Sequence, residues 1–176
     1  MSTWQTTHRE NNKKFYLTGG KLLAGFYIPY RYSEDLEFFS ETEIDIMAIQ
    51  IFLKTSSKKL GIVKTEYQTS FNRNLFFLSF KDSSKLKTEF TYFPFTNLGK
   101  RTTHYGVNVD SPLDIATNKL FTIYQRTAAR DYIDLYQLCQ KYNFSISDLI
   151  TKARLKFDTH IDLLKLGAQF NKALFV

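Results

Sequence analysis

Asp35 and Glu37 stand two residues apart in a segment where Leu36, Phe38 and Phe39 interleave with the charges, the pattern of a strand. Side chains of a strand alternate between its faces, so the two carboxylates project the same way from backbone positions roughly 6.5–7 Å apart. Such a pair can hold Mg2+ or Mn2+, hard cations that take oxygen ligands and commonly bridge to substrate phosphates. The plainer reading is two ordinary charges on an exposed edge strand, and the surrounding residues must decide between them.

Three further groups bear on that choice. Gly19-Gly20 precedes a short helical pattern, so backbone N–H groups could approach a triphosphate there, with Lys21 adding a cation. A third carboxylate, Glu89 in Lys87-Thr88-Glu89-Phe90, falls on the strand face opposite Leu86, Phe90 and Tyr92. It would complete a metal cage if its strand lay beside that of Asp35. Lys119, Arg126 and Arg130, read as one continuous helix, fall within about 20° of a line and form a stripe about 16 Å long. That stripe would suit phosphates or an RNA backbone, or would be a solvated face. There is no GxxxxGK[ST] and no GxGxxG sequence, which sets aside P-loop and Rossmann readings.

The elements that must position these residues follow from periodicity and breakers. A short run at Phe15–Leu17 ends at the glycines, and Leu22, Leu23, Phe26 and Tyr27 recur at near-helical spacing up to Pro29. Ser40 and Glu43 form a capping-box pattern that predicts a helix from about Glu41 to Lys54, with a strand over Ile46–Leu53 as the alternative. Candidate strands at Gly61–Thr69, Leu75–Phe80 and Leu86–Phe93 make an antiparallel meander. A long connecting loop runs from Pro94 to Ser111. Helices follow: one from Pro112, one capped by Ser145 and Asp148, and one over Leu163–Leu174.

Composition bounds the class. The 176 residues are 43% hydrophobic and 16% aromatic, enough for one packed unit. A formal charge of +7 favours an anionic partner. Cys139 is the sole cysteine, which excludes an intramolecular disulfide and suggests a buried core thiol. His8, His104 and His160 lack the spacing of a zinc site. The polar N-terminus and the lack of any long apolar run predict a cytoplasmic protein with no membrane partner.

Two blocks carry a family resemblance. Residues 15–40, FYLTGGKLLAGFYIPYRYSEDLEFFS, and 111–138, SPLDIATNKLFTIYQRTAARDYIDLYQL, resemble the motifs of the AbiEii/AbiGii-type nucleotidyltransferases. Those motifs are a Leu-Thr-Gly-Gly turn followed by an Arg-x-Ser-x-Asp-x-Asp strand, and later a helical Lys with an Arg-Asp-x-x-Asp step. Lys21 stands where the family usually has a small hydroxyl residue, and Glu37 and Glu89 where it usually has Asp.

The resemblance implies an α/β fold with a polymerase-β-like nucleotidyltransferase core, a mixed sheet flanked by helices. The expected division is a core over residues 1–110 and a helical part over 111–176 packed on it. By the same resemblance Asp35, Glu37 and Glu89 bind Mg2+, while Gly19, Gly20 and Ser33 touch the nucleotide phosphates. Arg31 orients the acidic strand, Lys119 neutralises the triphosphate and Asp131 is a further active-site acid. Apart from the resemblance, the basic stripe assigns Arg126 and Arg130 to the acceptor. The implied reaction moves a nucleoside monophosphate from an NTP to a hydroxyl of RNA, such as a tRNA 3′ end. The implied setting is a toxin of a bacterial toxin–antitoxin or phage-defence system, with a cognate antitoxin. The alternatives are a degenerate module that binds a nucleotide or antitoxin without chemistry, and a nucleotidyltransferase that modifies protein.

Overall fold

The computed structural model describes residues 14–30, 32–33 and 35–175. Among them are seven strands in one mixed sheet and six α-helices, an α/β architecture. The strands are β1 (Tyr16–Thr18), β2 (Leu36–Ser40), β3 (Ile62–Ser70), β4 (Arg73–Phe80), β5 (Lys85–Tyr92), β6 (Thr102–His104) and β7 (Val107–Val109). The helices are α1 (Gly19–Leu22), α2 (Ile46–Leu60), α3 (Pro112–Gln125), α4 (Ala129–Tyr142), α5 (Ile146–Phe157) and α6 (Leu163–Lys172). A π-helical turn, Leu23–Tyr27, continues α1.

The chain divides into two compact units with interleaved segments. The first comprises the described residues of Met1–Leu22, Arg31–Pro94 and Thr103–Val109; the second, Leu23–Tyr30, Phe95–Thr102 and the described residues of Asp110–Val176.

In the first unit the sheet order is β3-β4-β5-β2-β1-β7-β6. The meander β3-β4-β5 is antiparallel, β5 joins β2 in parallel, β2 joins β1 antiparallel, and β1 joins β7 in parallel. Strand alternation gives the sheet two unlike faces. On one, Ile62, Phe76 and Leu78 are buried with Ile49 and Leu53 of α2, and Phe38's neighbour Phe90 and Leu86 pack around them. Fully burying each such side chain contributes about 1.5–3 kcal/mol, which fixes register, because a one-residue slip would turn this set to the other face. The opposite face carries Glu37, Lys87, Glu89, Thr91 and Arg73.

Two expectations are corrected here. Ser40 does not cap a helix: it ends β2, and its hydroxyl donates to the Thr42 carbonyl at 2.8 Å and accepts from the Thr42 N–H. Asp45 is the cap, accepting from the Ala48 N–H at 3.0 Å, so α2 starts later than expected and runs on to Leu60. The expected loop 94–111 contains β6 and β7, strands of three residues each, too short to show alternation in the sequence.

In the second unit α3 is the hub on which α4, α5 and α6 pack, with Leu120, Ile123, Leu135, Leu138, Leu149 and Leu166 buried. Ser111 caps α3 by accepting from the Asp114 N–H, and Pro112 occupies the first turn, where no N–H partner is needed. No described helix is long and apolar enough to cross a membrane. Cys139 is half-buried, and burial pushes its thiol up.

Candidate active site

The parallel pairing of β2 with β5 makes Glu37 and Glu89 Cα partners, side by side on one face of the sheet. Asp35 directly precedes β2, and its carboxylate is reached by Lys87 of β5 at 2.6 Å. Lys87 is two residues from Glu89 and therefore on the same face. Three carboxylates thus lie on one face of neighbouring strands, built from a strand pair that sequence separation alone conceals.

Each acid has its own partner. Glu89 is 4% exposed and takes a two-pronged grip from Arg73, Nε donating to Oε1 at 2.7 Å and Nη2 to Oε2 at 2.5 Å. The Thr91 hydroxyl also donates to Oε1 at 2.7 Å. Burial pushes Glu89 up, but the bonds from Arg73 and Thr91 and the charges of Arg73 and Lys87 outweigh it, so its carboxyl lies below the ordinary range. The Glu89 bond raises Arg73, and the charges of Glu89, Glu37 and Asp35 add to this against the opposing effect of burial. Glu37 faces the glycine turn: the Gly20 N–H lies 3.5 Å from its Oε1. Gly19 has φ +71°, and a Cβ built there would sit 2.4 Å from the Glu37 carboxyl carbon. The turn therefore needs glycine both for its left-handed backbone and for the room it leaves Glu37.

The donor set suits a divalent cation in kind, since all three groups are hard oxygen donors on one face, and Asp35 and Glu89 already draw cationic partners. Among the described residues no three Asp, Glu, His or Cys side chains are gathered closely enough to hold a metal ion as they stand. Arg73 and Lys87 supply positive charge where the ion's charge would act.

Of the other expected nucleotide contacts, Lys21 is exposed on α1 and Ser33 is half-buried in the loop before β2. Arg31 lies outside the described residues.

The second unit holds its own charged cluster. Lys119 Nζ lies 2.7 Å from both Asp131 Oδ1 and Asp134 Oδ2, and Arg126 Nη2 is 3.2 Å from Asp131 Oδ2. The Tyr30 hydroxyl donates to Asp134 Oδ1. Asp131 and Asp134 are three apart on α4 and so share the side that meets Lys119 of α3. The continuous basic stripe does not exist. The helix ends at Gln125, Arg126 is its extended C-cap at φ −147°, and Arg130 belongs to the next helix. The 100° per residue relation between Lys119 and Arg130 is lost at that break. Arg126 and Arg130 are both exposed.

The acidic strand beside a Gly-Gly turn and the helical Lys near an Arg-Asp-x-x-Asp step are the motifs seen in the sequence, while the bridge from Lys119 to Asp131 and Asp134 is new to the structure. Residues 4–174 match the nucleotidyl transferase AbiEii toxins of type IV toxin–antitoxin systems. The chain belongs to this AbiEii family. It is similar to the uncharacterized protein aq_aa25 of Aquifex aeolicus, 28% identical over 143 residues. That match spans 81% of this chain and 66% of the relative's length.

Solved structures agree on the fold. JHP933 from Helicobacter pylori superposes with a TM-score of 0.60 over 98% of this chain and 93% of its own, at 20% identity. The Megavirus polyadenylate synthase gives a TM-score of 0.55 at 17% identity, covering 80% of this chain and 30% of that one. The AbiEii chain thus has a nucleotidyltransferase fold, with the polymerase-like sheet expected of it.

Sequence reasoning missed Arg73, Lys87, Thr91, Tyr30 and the pairing role of Asp134. Lys87 was within reach, since alternation puts it on the Glu89 face. Arg73 gave no signal, because its part depends on the β4–β5 register, which pairs it with Thr91.

Proposed function

We propose that this AbiEii chain transfers a nucleoside monophosphate from an NTP to a hydroxyl of RNA, such as a tRNA 3′ end, releasing pyrophosphate. The observation that carries the reading is the Glu37–Glu89 register with Asp35 on the same face, beside the Gly19-Gly20 turn. Asp35, Glu37 and Glu89 would hold Mg2+ or Mn2+. When bound, the ion would offset phosphate charge and make the acceptor hydroxyl easier to deprotonate. The protein's own part is placement: the turn brings backbone N–H groups to the acidic face, with Lys21 and Ser33 as phosphate contacts. Lys119 is proposed to meet a nucleotide phosphate, with Asp131 as a further acid. Arg126 and Arg130, exposed and cationic, suit the phosphates of an RNA acceptor.

Membership in a type IV toxin family supports a role as the toxin of such a system, or in phage defence, with a cognate antitoxin as partner. Incubation with labelled NTPs, Mg2+ and total tRNA is expected to label RNA. A blank result beside a working transferase overturns the reading, and label on protein instead moves the acceptor class.

One observation favours a second reading, a module that binds nucleotide without turnover: Asp35 and Glu89 are already engaged by Lys87 and Arg73. Calorimetry with NTP and Mg2+ separates the two, since heat of binding without product supports the binder.

A further inference from the structure

Glu89 sits on β5 between β4 and β2, its side chain 6% exposed, while that of Arg73, which grips it, is 48% exposed. Arg73 is the first residue of β4, straight after the Phe71–Asn72 turn, so its side chain has solvent to move into. Both Glu89 oxygens are occupied, Oε2 by Nη2 and Oε1 by Nε and by Thr91. Oε2 keeps one lone pair, but a hard cation seated on it would lie against the guanidinium, so the two positive charges compete for one carboxylate. Arginine does not give up its proton in proteins, so the oxygens can be released only by moving the guanidinium away.

We propose that Arg73 is a resident counter-ion that competes with a divalent cation for Glu89, so that loading the acidic face requires the Arg73–Glu89 fork to open. This rests on the reading of Asp35, Glu37 and Glu89 as the metal-holding set. The fork serves the metal-free protein, where a buried carboxylate beside Glu37 would otherwise be uncompensated. A divalent ion does the same work with twice the charge and frees Arg73 toward solvent. Arg73 is thus a positioning residue that sets metal affinity, and Thr91, which can remain bonded to Oε1, keeps Glu89 aimed.

The test titrates the full chain with Mn2+ at neutral pH, following free Mn2+ by electron paramagnetic resonance, with circular dichroism to verify folding. Arg73→Gln is expected to bind Mn2+ about five- to tenfold more tightly than wild type, the scale of removing one partly exposed competitor. Arg73→Lys, which cannot fork both oxygens, is expected in between. Glu89→Gln weakens binding, and adding Arg73→Gln to it brings no gain. If wild type binds Mn2+ and Glu89→Gln weakens it, but folded Arg73→Gln and Arg73→Lys bind no tighter, Arg73 is not a competitor and the functional reading stands. If no folded variant, wild type included, binds Mn2+, the metal reading and this inference fall together.

Discussion

Gly19 lies against Glu37, with only 2.4 Å between the position a Cβ would take and the Glu37 carboxyl carbon. Gly61, at the C-cap of α2, has nearly the same φ, +73° against +71°, and open space around it. The pair separates backbone strain from crowding of the acid. Gly19→Ala and Gly61→Ala should each lose about 1–2 kcal/mol of stability, the penalty of a left-handed non-glycine residue. Only Gly19→Ala must also push Glu37 aside. Nucleotidyl transfer should therefore fall well beyond the stability loss in Gly19→Ala and stay near wild type in Gly61→Ala. Equal activity in the two variants would show that the Glu37 position does not matter.

Arg73 and Glu89 should also couple in stability. Removing Arg73 leaves a buried carboxylate beside Glu37, but half of Arg73 is in solvent, which screens the pair. Arg73→Ala is expected to lose about 1–3 kcal/mol in urea unfolding, less than a fully buried pair. Glu89→Gln in the same chain should recover part of it, because the amide needs no counter-ion. Strict additivity of the two substitutions would mean the fork contributes nothing measurable.

Asp114 and Lys156 make the acid response of the second unit predictable. Lys156 Nζ lies 2.6 Å from Asp114 Oδ1, and the Leu98 and Gly99 N–H groups and the Ser111 hydroxyl also donate to that carboxylate. Burial pushes Asp114 up, and these partners, Lys156 foremost, outweigh it, so it titrates below its ordinary value of 3.8. A carboxyl lowered by folding stabilises the native state above its unfolded pKa and loses that contribution as pH falls through the folded one. Thermal midpoints should thus hold steady from about pH 7 to 5 and drop below about pH 4. Asp114→Asn should start lower at neutral pH, with Lys156 deprived of the Asp114 carboxylate, and show a shallower acid slope. Parallel curves for the two proteins would remove Asp114 as the source.

The parts of this architecture with long, regular pattern were legible in the sequence. The β3-β4-β5 meander shows because its strands run eight or nine residues between polar turns. The helix starts at Pro112 and Ser145 show because proline suits a first turn and Ser followed three residues later by Asp is a local cap signal. The β6 and β7 strands do not, since three residues cannot display a period. Nor does the break at Arg126–Ala128, which contains neither Gly nor Pro, so helical periodicity reads straight through it. For the site, alternation put Asp35 and Glu37 on one face, and Glu89 required a guess that β5 lies next to β2. That adjacency comes from a parallel crossover through α2 and the meander, which no local pattern encodes.

Lys119 tests how far a family motif can be read as substrate chemistry. Its side chain is 13% exposed and bridges Asp131 and Asp134, which are 1% and 0% exposed. Lys119→Ala would leave two buried carboxylates without the ammonium between them, a loss expected at about 3–5 kcal/mol. Asp134→Asn added to it should restore part of that stability by removing one of the two like charges, while the Tyr30 hydroxyl can still donate to the amide oxygen. If Lys119→Ala unfolds within about 0.5 kcal/mol of wild type, the bridge is dispensable and the ammonium is available for phosphate. If it loses the larger amount, an activity loss in Lys119→Ala reports folding first. Nucleotide affinity of the folded double variant then becomes the measurement that speaks to catalysis.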